Sequence, residues 1–185
     1  TDNDLSNTNF VPFLIPLHPY YRWQKATDKL SGILSGVDKN ADGTLELSFE
    51  WDVLSMSGVR SKLTIYPNGK IKFYLKGTPK GGALLRFGTQ FGLVEELDNV
   101  KWYGRGPQET YPDRKTGGKI GIWEKTVNDL EHHYMRPQEN GNRVDVRYVE
   151  LTSHDGKKGL KFTSPCATPL AFSAWHYTQN ALEKA

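Results

Sequence analysis

Cysteine is nearly absent from this 185-residue chain: Cys166 is the only one. A lone thiol excludes an internal disulfide and any metal cage built from cysteines, and its place after Pro165 in apolar company suits a small packed residue better than a nucleophile. Charge of one sign is equally lacking. Lys and Arg number 24 against 21 Asp and Glu, a net charge of +3. With the two signs interspersed, nothing draws a nucleic acid or a membrane surface by electrostatics. No apolar run approaches about 18 residues, so no membrane-spanning helix is expected, and Thr1 opens no signal peptide. These absences leave the compartment open between cytoplasm and periplasm. Helical periodicity is scarce, and no internal repeat or low-complexity tract appears. A single domain over residues 1–185 is the expectation at this length.

What the chain has is alternation. Leu45, Leu47, Phe49, Trp51 and Val53 alternate with Glu46, Ser48, Glu50 and Asp52, the pattern of a half-buried strand. Leu63 and Ile65 continue the period, Tyr66-Pro67-Asn68-Gly69 supplies a turn, and Ile71, Phe73 and Leu75 resume it. Asn-Gly between alternating runs is a hairpin signal. Leu84–Val94, Val144–Leu151, Leu160–Phe162 and Leu170–His176 are further strand candidates. Many strands and few helices predict an antiparallel β-sandwich. Two short helices are expected, one within Tyr21–Ser31 and one capped by Thr178 and running through Lys184. Phe10–Tyr21 is rich in apolar residues but broken by Pro12, Pro16 and Pro19. The prolines forbid a regular helix, so it reads as an irregular segment covered by a partner domain or neighbouring subunit.

The densest stretch is Trp102–Arg114, WYGRGPQETYPDR. Gly104 and Gly106 admit positive φ, and Pro107 and Pro112 fix their own φ and restrain the residue before them. The segment is predicted to be a non-helical connection presenting Arg105, Gln108, Glu109, Asp113 and Arg114. Glu109 and Asp113 are expected to bond Arg105, Arg114 or Arg143. Two readings stand: a structural corner stapled by these bonds, or a surface that touches a ligand.

Other constellations point less far. Asp38-Lys39-Asn40-Ala41-Asp42-Gly43 matches the first half of a calcium loop, but Phe49 falls where a bidentate Glu belongs, so a hairpin loop explains it better. His132 and His133 are adjacent and on a strand would point to opposite faces, which argues against zinc. His176 reads as packing or bonding in the core. Retaining glycoside hydrolysis needs two carboxylates about 5 Å apart, and Glu109, Asp113 and Glu139 are among several candidates for such a pair. Trp23, Trp102, Trp123 and Trp175 suit the core of a sandwich more than a sugar platform.

Three motifs in order, TDND at Thr1–Asp4, WYGRGPQETYPDR at Trp102–Arg114 and RPQENGNR at Arg136–Arg143, resemble the C-terminal, small-chain domain of bacterial β-galactosidases of glycoside hydrolase family 2. Arg22-Trp23 and the Ala181–Ala185 end extend the resemblance over essentially the whole chain. It implies an all-β fold, an antiparallel β-supersandwich like galactose mutarotase with short helical segments, standing beside a catalytic barrel. The family's domain has strands before TDND and ends in a Gly-Gly-Asp-Asp-Ser-Trp motif; neither lies within Thr1–Ala185, so the resemblance implies an incomplete portion of that domain.

By the same resemblance no residue here is catalytic, because the family's glutamates sit in the barrel, and the chain alone is expected to be inactive. Asp2, Asn3, Asp4, Arg105, Glu109, Tyr111, Asp113, Arg114, Glu139, Asn140 and Arg143 are implied as structural or sugar-site rim residues. The segment after TDND, Leu5–Asn9, is expected to be either a rim or an interdomain tether. No metal is expected here, magnesium or sodium belonging to the parent's barrel. Implied partners are that barrel, a galactoside at the rim and further copies of the parent. An independent carbohydrate-binding or mutarotase-like module, and a purely assembling domain, are the alternatives.

Overall fold

The computed structural model describes residues 26, 30–81, 84, 86–135, 138–165 and 168–182. Asp2, Asn3 and Asp4, the Phe10–Tyr21 segment, Arg22, Trp23, Arg136 and Cys166 lie outside the described residues, as does nearly all of the helix expected within Tyr21–Ser31. Two compact units meet in sequence between Gln90 and Phe91.

The first unit is a meander of four antiparallel strands, β1 (Ser31–Lys39), β2 (Leu45–Asp52), β3 (Met56–Ile65) and β4 (Ile71–Pro79), paired in that order. The Asp38–Gly43 stretch is the β1–β2 turn. Asn40 N donates to Thr44 O at 2.9 Å, Asp42 Oδ1 accepts from Thr44 N at 2.9 Å, and Gly43 sits at φ +83°. Turn geometry therefore accounts for its Asp, Asn and Gly. The Asn68-Gly69 signal marks the β3–β4 turn, where Tyr66 N bonds Lys70 O at 2.9 Å and Asn68 Oδ1 accepts from Lys70 N at 3.0 Å.

Register separates the two faces of this sheet. Val37, Leu47, Leu63 and Phe73 stand in one row, with Leu45, Ile65 and Ile71 in the next row on the same face. The opposite face carries the rows Glu50–Arg60–Lys76 and Glu46–Thr64–Lys72. A bulge between Leu34 and Gly36 keeps Leu34 and Val37 on the apolar side, since the extra residue offsets the alternation.

The second unit contains β5 (Asn99–Gly106), β6 (Lys119–Thr126), the one-turn helix α1 (Val127–Leu130), β7 (Arg143–Val146), β8 (Tyr148–Thr152), β9 (Gly159–Thr163), β10 (Leu170–Phe172) and α2 (Gln179–Leu182). One antiparallel sheet runs β6-β5-β8-β9, and β10 pairs with β7 in a second. Val100, Trp102, Val149 and Leu151 of the first sheet bury against Val146 of the second. Phe172 meets the Trp102 ring edge-on at 5.9 Å. This is a small β-sandwich, closed at one end by Val127 and Leu130 of α1. Thr178 Oγ1 accepts from Ala181 N at 3.2 Å, so Thr178 caps α2 as its sequence indicates.

Three expectations are corrected. Leu84–Val94 forms no strand among its described residues; no neighbouring strand there takes up its backbone groups, and alternation without a ladder does not make a strand. The Val144–Leu151 run is two strands in different sheets, because the chain turns at Asp145, whose φ is +55°, and Arg147. The front of the Trp102–Arg114 stretch is not a connection but the end of β5. Gly104 and Gly106 are absent from the positive-φ residues, and what requires them is close approach. A Cβ on Gly104 would stand 2.7 Å from Val146 Cγ2, and one on Gly106 2.7 Å from Trp123 Cδ1.

Candidate functional site

Beyond β5 the chain passes a cis Gly106-Pro107 bond and a tight Tyr111–Arg114 bridge. It then lies beside residues 131–135 and 138–142. The two segments are stitched by backbone and side chain together. Thr110 N donates to Asn142 O at 2.7 Å, Asn142 Nδ2 to Thr110 O at 2.9 Å, and Val144 N to Thr110 Oγ1 at 3.1 Å.

Arg143 is the buried anchor, 1% exposed. Its Nη1 donates to Leu130 O at 3.0 Å and Gly141 O at 2.6 Å, its Nη2 to Pro107 O at 3.0 Å, and its guanidinium lies 5.4 Å from the Trp102 ring. Carbonyls and an indole face thus replace a direct carboxylate partner. Burial pulls its pKa down to about 10, against the pull of Glu109 and Tyr111. The planar fork suits three carbonyls from three segments in a way a lysine does not.

Glu109 is the second anchor. Its Oε1 accepts from Arg114 Nη2 at 2.7 Å and from the Tyr134 hydroxyl, while Oε2 accepts from Gly141 N at 2.8 Å. Burial alone would raise this carboxyl, but the Tyr134 hydroxyl, the Gly141 amide and Arg114 together hold it below the usual range. Arg114 also bonds Tyr134 at 2.6 Å and lies 4.6 Å from the Tyr111 ring. Burial pushes the Tyr111 hydroxyl far up, with the nearby charges of Glu109 and Glu139 adding to it.

Arg105 belongs to a different cluster. Its Nε meets Asp145 Oδ2 at 2.5 Å, and its Nη1 donates to Lys115 O at 3.0 Å and Gly118 O at 2.8 Å. Lys115 Nζ approaches the same carboxylate at 3.4 Å. The Arg105 bond leads the causes that hold Asp145 below the ordinary range. Asp113 stands exposed at the turn, with neither a hydrogen bond nor an ion pair to these arginines among the described residues. The turn points its carboxylate outward, and the expected Asp113 pairing is corrected accordingly.

Asn140, 3% exposed, ties the loop to the chain end. Its Nδ2 donates to Gln138 O at 3.1 Å and Tyr177 Oη at 3.2 Å, and its Oδ1 accepts from His132 N at 3.2 Å. Tyr177 in turn donates to Glu131 at 2.9 Å and stacks on Trp175 with centroids 5.8 Å apart. Glu139 is half-buried beside this loop. The adjacent His132 and His133 diverge: one meets the Tyr134 ring edge-on at 4.4 Å, the other stands 3.7 Å from Glu131. His176 bonds Asp98 at 3.1 Å and is exposed, not in the core.

A cleft of about 320 Å³ opens beside these groups, lined among others by Glu109, Arg114, Asp129, Glu131, His132 and Arg143. Its chemistry is that of a braced wall. Both Glu109 oxygens are occupied, Asp129 Oδ2 accepts from Thr126 Oγ1 at 2.9 Å, and Glu131 Oε1 is taken by Tyr177. A glycosidase acid needs a raised pKa, whereas Glu109 is shifted the other way. Among the described residues no three His, Cys, Asp or Glu side chains gather as a metal site. No helix there is long and apolar enough to cross a membrane.

Sequence reading expected Glu109 to bond Arg105, Arg114 or Arg143, of which Arg114 is its direct partner, and gave Asn140 only as a structural or rim residue. It missed Tyr134, Gly141, Asp145 and Tyr177. Asn140-Gly141 carried the one usable signal, since that dipeptide marks a left-handed position, and Gly141 sits at φ +72°.

The fold and this network define an antiparallel β-sandwich domain whose polar cluster is engaged in holding loops. Residues 1–185 match throughout the family described as beta galactosidase small chain. The chain belongs to that family. It is 39% identical over 99 residues to the β-galactosidase BgaC of Bifidobacterium adolescentis, covering 54% of this chain and 9% of that protein. A β-galactosidase of Priestia megaterium is 36% identical over 112 residues, 57% of this chain and 11% of that one. One from Streptococcus thermophilus is 28% identical over 173 residues, 89% and 17% respectively. The matched region is thus a small fraction of each relative.

Proposed function

We propose that this chain is a non-catalytic portion of a β-galactosidase of glycoside hydrolase family 2, one that supports a catalytic barrel and the rim of its galactose site. The carrying observation is the family match over all 185 residues, set beside the three relatives above, β-galactosidases of which the matched region is 9% to 17%. The parent hydrolyses terminal β-D-galactosides with retention, using carboxylates outside this chain. Magnesium or sodium belongs to that barrel. In this reading Glu109, Arg114, Asn140 and Arg143 hold the loops that form the rim, and Asp2, Asn3 and Asp4 meet the barrel. The fold completes as a mutarotase-like supersandwich, and the parent assembles with copies of itself.

The test is to express the full-length polypeptide and follow hydrolysis of an aryl β-galactoside by NMR. The expected first-formed sugar is the β-anomer. Absence of hydrolysis by the folded full-length protein contradicts the proposal. A second reading, a carbohydrate-binding or mutarotase-like module, draws on the cleft that Glu131 and His132 both line. Sugar titration and an anomer-exchange assay on the chain separate the two.

A further inference from the structure

The chain contains two Asn-Gly steps, Asn68-Gly69 at the β3–β4 turn and Asn140-Gly141 beside Glu109. Before a glycine, an asparagine side-chain amide is most open to attack by the following backbone nitrogen, because no Cβ hinders closure of the ring. The two steps stand in opposite surroundings. Asn68 and Gly69 are exposed at the hairpin tip, together with Pro67 and Lys70. A Cβ built on Gly69 meets nothing within 4 Å, so the turn has room to rotate into the geometry of ring closure. Asn68 Oδ1 accepts from Lys70 N at 3.0 Å, and Nδ2 has no acceptor among the described residues. That bond folds the side chain back over the turn. It also draws charge onto the oxygen that becomes an oxyanion when the carbonyl carbon is attacked.

Asn140 is held on every side. Its Nδ2 donates to Gln138 O and Tyr177 Oη, and its Oδ1 accepts from His132 N. The attacking nitrogen would be that of Gly141, which donates to Glu109 Oε2 at 2.8 Å and is crowded by the Leu130 carbonyl. Ring closure there requires the loop to open first, and the cost of opening adds to the barrier. We propose that Asn68 is a site of spontaneous deamidation and isoaspartate formation, and that the fold shields Asn140 from the same reaction. The Gly69 nitrogen gives up its bond to Tyr66 O, 3.0 Å long, loses its proton to hydroxide and attacks Asn68 Cγ. The N–Cγ bond forms, the Cγ–Nδ2 bond breaks, and Nδ2 takes a proton from water and leaves as ammonia. Water then opens the succinimide at either carbonyl, giving aspartate or isoaspartate, so that one water is consumed for each ammonia released. Isoaspartate routes the main chain through Cβ, which lengthens the turn and sets a new carboxylate beside Lys70.

The test is incubation of the 185-residue chain at mildly alkaline pH, one sample folded and one in urea, with circular dichroism verifying the folded sample throughout. Digestion under mildly acidic conditions adds little product in handling. Tandem mass spectrometry then locates each exchange of amide NH for O, and electron-based fragmentation distinguishes isoaspartate from aspartate. In the folded chain Asn68 is expected to react at least about tenfold faster than Asn140, with isoaspartate among its products. In urea the two steps are expected to react at similar rates, since both precede glycine and the shielding bonds are gone. Asn140 keeping pace with Asn68 in the folded chain overturns the inference. So does an Asn68 that stays intact in the folded chain while it reacts in urea. Aspartate at position 68 without isoaspartate overturns the cyclic route, because opening of a succinimide gives both.

Discussion

Gly141 approaches Leu130 so closely that a Cβ on it would stand 2.9 Å from the Leu130 carbonyl oxygen. The same oxygen accepts from Arg143, and the Gly141 amide donates to Glu109. One residue therefore serves both anchors. Gly141→Ala adds left-handed strain at φ +72° to a backbone clash, at a cost of about 2–3 kcal/mol. Thermal unfolding should show a drop of several degrees. An unchanged midpoint contradicts this packing.

Glu109 makes stability depend on pH. Its folded pKa lies below the ordinary glutamate value, so the unfolded chain binds more protons than the folded one around that value. Its contribution is complete above the unfolded value and is lost as pH falls through the folded one. Glu109→Gln should be about 2 kcal/mol less stable at neutral pH, a loss moderated by the half-exposed Arg114. The difference should shrink on acidification below about pH 4.5. Denaturant unfolding at pH 7 and pH 3 measures it, and a constant difference refutes the account.

Arg143 carries the largest buried polar load. Arg143→Met keeps much of the apolar stem but leaves the carbonyls of Leu130, Gly141 and Pro107 without their donor, which should cost about 3 kcal/mol or more. Because the guanidinium faces Trp102, the near-ultraviolet dichroism of that ring should change as well. A stable variant with an unaltered spectrum would show the fork to be dispensable.

Much of this was legible in the sequence where the signal is local. Alternation in Leu45–Val53 and the Asn68-Gly69 turn define β2 and the β3–β4 hairpin because both depend on neighbours in sequence. The Glu109–Arg114 pair follows from a short loop carrying opposite charges. Long-range effects were not legible. Asp145 meets Arg105 across 40 residues, and Tyr134 reaches Glu109 across 25, and no pattern in either segment announces the meeting. Leu84–Val94 shows the converse failure, since strand formation needs a neighbour as well as a pattern. At Gly104 and Gly106 the residue type was informative but the reason differed, packing against Val146 and Trp123 in place of backbone freedom.

The second cluster yields a graded test. Asp145 combines a left-handed backbone with bonds to Arg105 and Lys115. Asn tolerates that backbone and Ala does not, so Asp145→Asn should cost about 1 kcal/mol, chiefly the lost ion pairs. Asp145→Ala should cost about 1 kcal/mol more. Equal losses in chemical denaturation would show the backbone conformation to be immaterial.

The non-catalytic role is tested most directly by turnover of a chromogenic β-galactoside by the highly purified 185-residue chain. The account predicts no hydrolysis that depends on any carboxylate of this chain, because both Glu109 oxygens are engaged in holding the loops and the proposed function puts the reacting groups outside the chain. Turnover that disappears in Glu109→Gln or Glu139→Gln, with folding retained, would contradict it.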